Sequence, residues 1–207
     1  TYLDKKALYN ILVKPTNSIV NQYKQLFKID DVDLVFEKDA LFAIVDLAIK
    51  RQTGARALIT ACEKVLRDYK FEFPSTVIEE FVVTAEVVVN PKEELEKILG
   101  DPEYNYRLVC IEKIRRYEGA FTEKHEMQIS FDDEATEQIC QMSKEQSPEQ
   151  ICDQILESYE HGLSLIKQNT GTTNFVLNRE VVEDPDAVLE QWIRESYLAK
   201  SRESEQK

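Results

Sequence analysis

No run of eighteen or more apolar residues occurs in the 207-residue sequence, which excludes a membrane-spanning helix. The opening TYLDKKALYN is polar from the start and is not a signal peptide, and without an initiator Met the chain reads as a piece of a longer one. The four cysteines, Cys62, Cys110, Cys140 and Cys152, form no C-x-x-C pair and sit among apolar residues. That pattern predicts reduced core thiols in a cytoplasmic protein. His125 and His161 are too isolated to suggest a metal site. None of the five glycines precedes a lysine, so the G-x-x-x-x-G-K-[ST] phosphate loop is missing and the chain alone is not expected to hydrolyse a nucleoside triphosphate.

What is present is a globular composition, 43% hydrophobic and 31% charged, long enough for one medium domain or two small ones. Charge is uneven. Residues 1–91 carry 12 Lys+Arg against 13 Asp+Glu, whereas residues 92–207 carry 14 against 26. Phosphates would be repelled by the second part, which argues against nucleic acid as its partner; a solvated acidic surface is the simplest role for these charges.

The chain repeats itself. LVFEKDALFAIVDLAIK (34–50) resembles ISFDDEATEQICQMSKE (129–145), with Phe36 and Ala40 matching Phe131 and Ala135, 95 positions on. EFVVTAEVVVNPKEELEKIL (80–99) resembles NFVLNREVVEDPDAVLEQWI (174–193), with Phe81, Glu86 and Pro91 matching Phe175, Glu180 and Pro185, 94 positions on. KKALYNILVKP (5–15) resembles KEELEKILGDP (92–102). Agreement in spacing across three segments favours an internal duplication.

Each copy reads the same way. A short helix ends ahead of Pro15 or Pro102. A longer helix follows, with Ile19, Val20, Tyr23, Leu26 and Phe27 on one face. VDLVF and MQISF alternate as half-buried strands do. Two helices come next, the first turning Ala40, Leu41, Ile44, Val45 and Ala48 inward, and then the strands EFVVTAEVVV and NFVLNREVV. Pro91 and Pro185 suit a first helical turn. The expectation is an α+β fold of two tandem units, roughly 1–90 and 91–207, each a small two- to three-stranded sheet covered by helices.

One arginine stands out. In RQTGARALITA (51–61), Thr53 suits a helix N-cap, which would make Arg56 the third helical residue. A cation there opposes the positive end of the helix dipole, but the same end attracts phosphate, and a guanidinium offers it a fork of donors. Two roles fit these residues alone, a solvated surface arginine and a phosphate ligand. In the second copy the matching stretch is Ser147-Pro148-Glu149-Gln150. Ser at the cap and Gln three residues on form a capping box, giving Gln150 a structural task in the slot of Arg56.

Taken together, ILVKPTNSIVNQYKQLF, VDLVFEKDALFAI, KRQTGARALI and YKFEFPS resemble, in order and spacing, the C-terminal small domain of the AAA+ unfoldase family ClpX, over residues 1 to about 90. The resemblance implies that Arg56 is the sensor-2 arginine, reaching the terminal phosphates of an ATP that the full-length protein binds with Mg mostly through the missing large domain, and that Gly54 and Ala55 adjoin the nucleotide. It also implies that Ile11 and Leu12 lie near the adenine, although both would serve equally as core residues. Further implications are a cytoplasmic homo-hexamer, a ClpP-like peptidase docked through a missing domain, and protein substrates or adaptors as partners, with no metal site in this segment, no nucleic acid and no membrane. Ala57 stands where the family usually has Gly, and Ile59-Thr60 replace its usual Arg-Ser. The Walker-B strand, pore loop and peptidase-docking loop of the large domain are not recognisable here. Residues 91–207 fall outside the family pattern and read as a degenerate added copy; a non-catalytic scaffold that keeps the fold is the alternative.

Overall fold

The computed structural model describes residues 4–14, 18–51 and 54–205, so Pro15 and Thr53 lie outside the described residues. The chain divides into two compact units, Thr1–Val109 and Cys110–Lys207. Both are helices packed on a two-stranded sheet, an α+β architecture.

Unit 1 begins with α1 (Lys5–Val13), capped by the Asp4 carboxylate on the Ala7 N–H at 2.7 Å. Lys14 then turns to an extended ψ of 132°, the conformation a residue takes ahead of proline. Ser18 caps α2 (Ile19–Lys28), whose Ile19, Val20 and Phe27 are buried. Leu26, expected on that face, is 40% exposed. It lies one position beyond the inward stripe, and its carbonyl rather than its side chain is engaged, accepting from Lys70 Nζ at 2.7 Å.

Strand β1 (Asp33–Phe36) pairs in parallel with β2 (Glu80–Val83), Leu34 opposite Phe81 and Phe36 beside Val83. A parallel pair needs a crossover, here α3 (Lys38–Ile49), α4 (Ala55–Glu72) and a 3₁₀ turn at Phe73–Ser75. All five apolar positions assigned to the inward face of α3 are buried. Tyr69, Phe73 and Phe81 form the centre of the core, with ring centroids 4.9–5.6 Å apart, a spacing at which aromatic pairs add to simple burial.

The strand expected across EFVVTAEVVV stops at Val83. Thr84 accepts from the Val87 N–H and starts a one-turn helix, α5 (Ala85–Val89), because this local cap competes successfully with the strand propensity of the valines. Helix α6 (Pro91–Gly100) then returns onto unit 1, burying Leu95 and Ile98 in its core. The hydroxyl of Tyr69 donates to the Pro91 carbonyl at 2.7 Å. A division at residue 90 separates α6 from the core it covers; the compact units part instead between Val109 and Cys110, within α7 (Pro102–His125). At the start of α7, Tyr104 donates to the buried Glu94 carboxylate at 2.7 Å, which also receives Lys97 Nζ at 2.6 Å.

Unit 2 repeats this plan. Strand β3 (Gln128–Phe131) pairs in parallel with β4 (Asn174–Leu177), Ile129 opposite Phe175. Between them lie α8 (Asp133–Met142), α9 (Pro148–Leu156) and α10 (Tyr159–Thr170); α11 (Arg179–Glu183) and α12 (Pro185–Glu205) follow. Here too the second strand ends early, with Asn178 capping α11 through the Val181 N–H. Ala40 and Ala135 are both fully buried. Tyr159 donates to the Pro185 carbonyl at 2.9 Å, as Tyr69 does to that of Pro91. Among the described residues two non-glycines adopt positive φ, Asp31 at 60° and Glu126 at 52°; they occupy equivalent corners, 95 positions apart, before β1 and β3.

The cysteines differ from expectation. Cys110 and Cys140 are joined by a disulfide, with Cα atoms 5.8 Å apart. Their separation of 30 residues gave no motif; the bond arises because α7 and α8 bring both side chains into one core. Cys62 and Cys152 are free and buried.

Candidate functional site

The start of α4 is set by Gly54. Its φ of 63° and ψ of −139° fall where a Cβ is not tolerated, and it takes the N-cap place without any side-chain cap. Its carbonyl accepts from the Ala57 N–H at 3.0 Å, closing the first turn. Because Gly54 rather than Thr53 occupies the cap, Arg56 is the second helical residue, not the third.

The next residues divide sharply by burial. Ala57, Leu58, Ala61 and Cys62 are buried in the unit 1 core, and the Cys62 thiol is pushed up to about 12 by burial, so it stays neutral. Ala55 and Arg56 are exposed. Among the described residues none pairs with the Arg56 guanidinium; only its carbonyl is engaged, accepting from Thr60 Oγ1 at 3.1 Å. The helix is therefore anchored on one side and carries a free fork of donors on the other, beside the N–H groups that every helix leaves unsatisfied at this end. Phosphate or carboxylate oxygens are the chemistry that fits such a corner. The two residues assigned near an adenine behave differently. Ile11 is half-buried, while Leu12 is fully buried and leaves no surface to a ligand in this chain. Helix α1, which carries both, packs on α3 and α4.

The second copy provides a comparison. The buried positions 57, 58, 61 and 62 correspond to 151, 152, 155 and 156, each 94 residues on, which puts Gln150 at the place of Arg56. Its side chain accepts from the Ser147 N–H at 3.1 Å, and Ser147 Oγ accepts from the Gln150 N–H at 3.3 Å. The reciprocal capping box read from the sequence is formed. Among the described residues no group of three or more His, Cys, Asp or Glu side chains is arranged for a metal ion, and no helix is long and apolar enough to cross a membrane. The sequence reading missed a groove beside β4, because its lining comes from three elements with no shared motif.

Residues 3–75 match the family model described as the C-terminal, D2-small domain, of ClpB protein. The ATP-dependent Clp protease ATP-binding subunits ClpX of Borrelia duttonii (strain Ly) and Borrelia recurrentis (strain A1) are each 50% identical over 93 residues, 44% of this chain and 22% of theirs. The corresponding subunit of Treponema denticola is 49% identical over 73 residues, 35% of this chain and 18% of its own length. The chain thus spans about a fifth of the length of these curated relatives. In its fold and in these matches, the segment of the amino-terminal unit over residues 3–75 is similar to the C-terminal, D2-small domain of ClpB protein and to the corresponding part of ClpX.

Proposed function

We propose that this chain is the C-terminal portion of a ClpX-like, ATP-dependent protein unfoldase subunit. Arg56 reaches the terminal phosphates of ATP held, with Mg, by a large domain outside this sequence. Gly54 and Ala55 let the backbone approach the nucleotide, and Ile11 lies by the adenine with Leu12 anchoring it from behind. A charge-assisted hydrogen bond of this kind contributes about 1.5–3 kcal/mol. That matches the roughly 1–3 kcal/mol of typical coupling between sites, enough to bias the angle between small and large domains when the last phosphate leaves. In a cytoplasmic six-membered ring, each small domain would pass that rotation to the next subunit and so drive unfolded protein toward a ClpP-like peptidase.

The observation that carries this reading is the contrast at equivalent helix starts. Arg56 is exposed without a described partner, whereas Gln150 is consumed in a cap. The test is Arg56→Lys in the full-length protein, with ATP binding and hydrolysis measured separately. Retained binding with at least tenfold slower hydrolysis is expected; wild-type turnover would refute the sensor role.

For the second unit we propose an interaction module. Asn174 and Val176 of β4 are exposed, whereas Val82 at the equivalent place in unit 1 is buried, which favours that reading over a passive extension. Removing residues 110–207 should leave ATP turnover near normal and impair degradation of a subset of clients, and unchanged degradation would favour the passive extension.

A further inference from the structure

The two copies part company after their last helix-capped strand. In unit 1, α6 stops at Gly100 and the chain turns at Asp101 into α7. From there Asn105 Nδ2 donates to the Glu80 carbonyl of β2 at 3.0 Å, and Val82 is only 2% exposed. In unit 2, α12 continues without that break from Pro185 to Glu205, alongside α10. Asn169 holds it there, donating to Ser196 Oγ and accepting from Lys200 Nζ, each at 3.0 Å. Val176, the counterpart of Val82, is 61% exposed, and Asn174, the counterpart of Glu80, is exposed as well.

The ladder register fixes what this edge offers. The Gln128 N–H donates to the Thr173 carbonyl and the Asp132 N–H to that of Leu177. Peptide groups alternate along a strand, so those of Asn174 and Val176 point away from β3. Among the described residues no other strand pairs with β4. Beside it lies a groove of about 370 Å³, with Ile166, Phe175, Val176 and Trp192 as apolar walls and Glu195 as the one charged residue in its lining.

We propose that this edge and groove bind an extended, basic peptide by strand addition. The peptide's main chain pairs with Asn174 and Val176, an apolar side chain lies against Trp192 and Ile166, and a Lys or Arg meets Glu195. Unit 1 provides the precedent, since the equivalent carbonyl, that of Glu80, already takes an N–H donor from Asn105. Charge selects the occupant. Residues 110–207 carry 11 Lys+Arg against 21 Asp+Glu, so a second copy brings like charge to the edge whereas a basic strand is attracted. This site is independent of the nucleotide reading of Arg56.

The probe is a fluorescein-labelled peptide, Lys-Val-Lys-Val-Thr-Val-Lys-Val, titrated with the full 207-residue chain by fluorescence anisotropy. Controls replace every Lys by Glu, or the central Thr by Pro. Both controls should bind at least tenfold more weakly. Glu195→Lys, a surface change, should weaken the basic peptide about tenfold. Val176→Pro removes one outward donor, a change tolerated on an edge strand, and should also weaken binding about tenfold. With peptide bound, hydrogen exchange should slow at residues 174 and 176. Equal affinity for basic and acidic peptides, no binding at millimolar peptide, or wild-type affinity and unslowed exchange with Glu195→Lys would overturn the proposal. So would a β4-dependent dimer in sedimentation, which would assign the edge to a second copy.

Discussion

Replacing Gly54 by alanine tests the geometry on which the arginine corner rests. At φ 63° and ψ −139° the glycine occupies a region essentially closed to residues with a Cβ, and forcing one into such a region costs about 1–3 kcal/mol. The chain has one escape, to move residue 54 to negative φ. That surrenders the Ala57 N–H bond to the Gly54 carbonyl, a net loss of about 0.5–1.5 kcal/mol, and unwinds the first turn that carries Arg56. Either route loosens the start of α4. Amide hydrogen exchange of the full chain, read over residues 55–72, is the direct assay. With about 1.4 kcal/mol per factor of ten, exchange should quicken between about 2.3-fold, by the cheaper route, and about a hundredfold in this helix, and stay unchanged in α9 and α10. Gly171→Ala is the internal control. Its φ of 75° and ψ of 3° are left-handed helical, a milder demand of roughly 1–2 kcal/mol, and its effect should appear in unit 2. If Gly54→Ala left exchange over residues 55–72 within twofold of wild type, the claim that glycine sets this corner would be wrong.

Three further outcomes are expected. In Gly162→Ala the new Cβ would lie 2.6 Å from Leu189 Cδ1, so overpacking between α10 and α12 should lower stability by about 1–3 kcal/mol in thermal melts; Gly119→Ala, with open space around it, should instead stabilise by about 0.5–1 kcal/mol. Reducing the Cys110–Cys140 bond, or making Cys140→Ser, reopens a loop of 30 residues and should remove about 3–4 kcal/mol from unit 2, seen as a lower urea midpoint with reductant; an identical midpoint would contradict the bond. Burial holds the Glu118 carboxyl above its usual range, against the opposing pull of the Phe131 N–H and Arg115. The fold thus favours the protonated acid, and its stabilisation, full below the ordinary carboxylate pKa, is lost as pH rises through the raised one. Glu118→Gln should therefore gain in urea midpoint relative to wild type as pH increases, and a constant difference from pH 4 to 8 would exclude this titration.

Much of the architecture is visible before any coordinates. The period of Ala40, Leu41, Ile44, Val45 and Ala48 gives the inward face of α3 without error, because helix burial follows a fixed rotation per residue. Ser147 and Gln150 announce their cap for the same reason: the interaction is local. What sequence reading loses is set by distance or by competition. Valines in EFVVTAEVVV read as one strand, yet a single threonine hydroxyl turns them into a helix. The Cys110–Cys140 bond and the Tyr69–Pro91 contact join residues 30 and 22 apart that carry no local signature. At the candidate site, Arg56 and its exposure were legible from the dipole conflict it creates, whereas the positive φ of Gly54 was not, because Thr53 offered an ordinary cap. The groove beside β4 stayed hidden because it depends on a helix not bending.

The paired corners at Asp31 and Glu126 have a practical consequence. Both residues carry exposed side chains in a left-handed conformation, and glycine adopts it with no steric conflict. Asp31→Gly should firm only the amino-terminal half, and Glu126→Gly only the carboxy-terminal half. The molecule therefore offers two separate corners, one in each unit, at which the stability of that unit can be raised by a single exposed substitution.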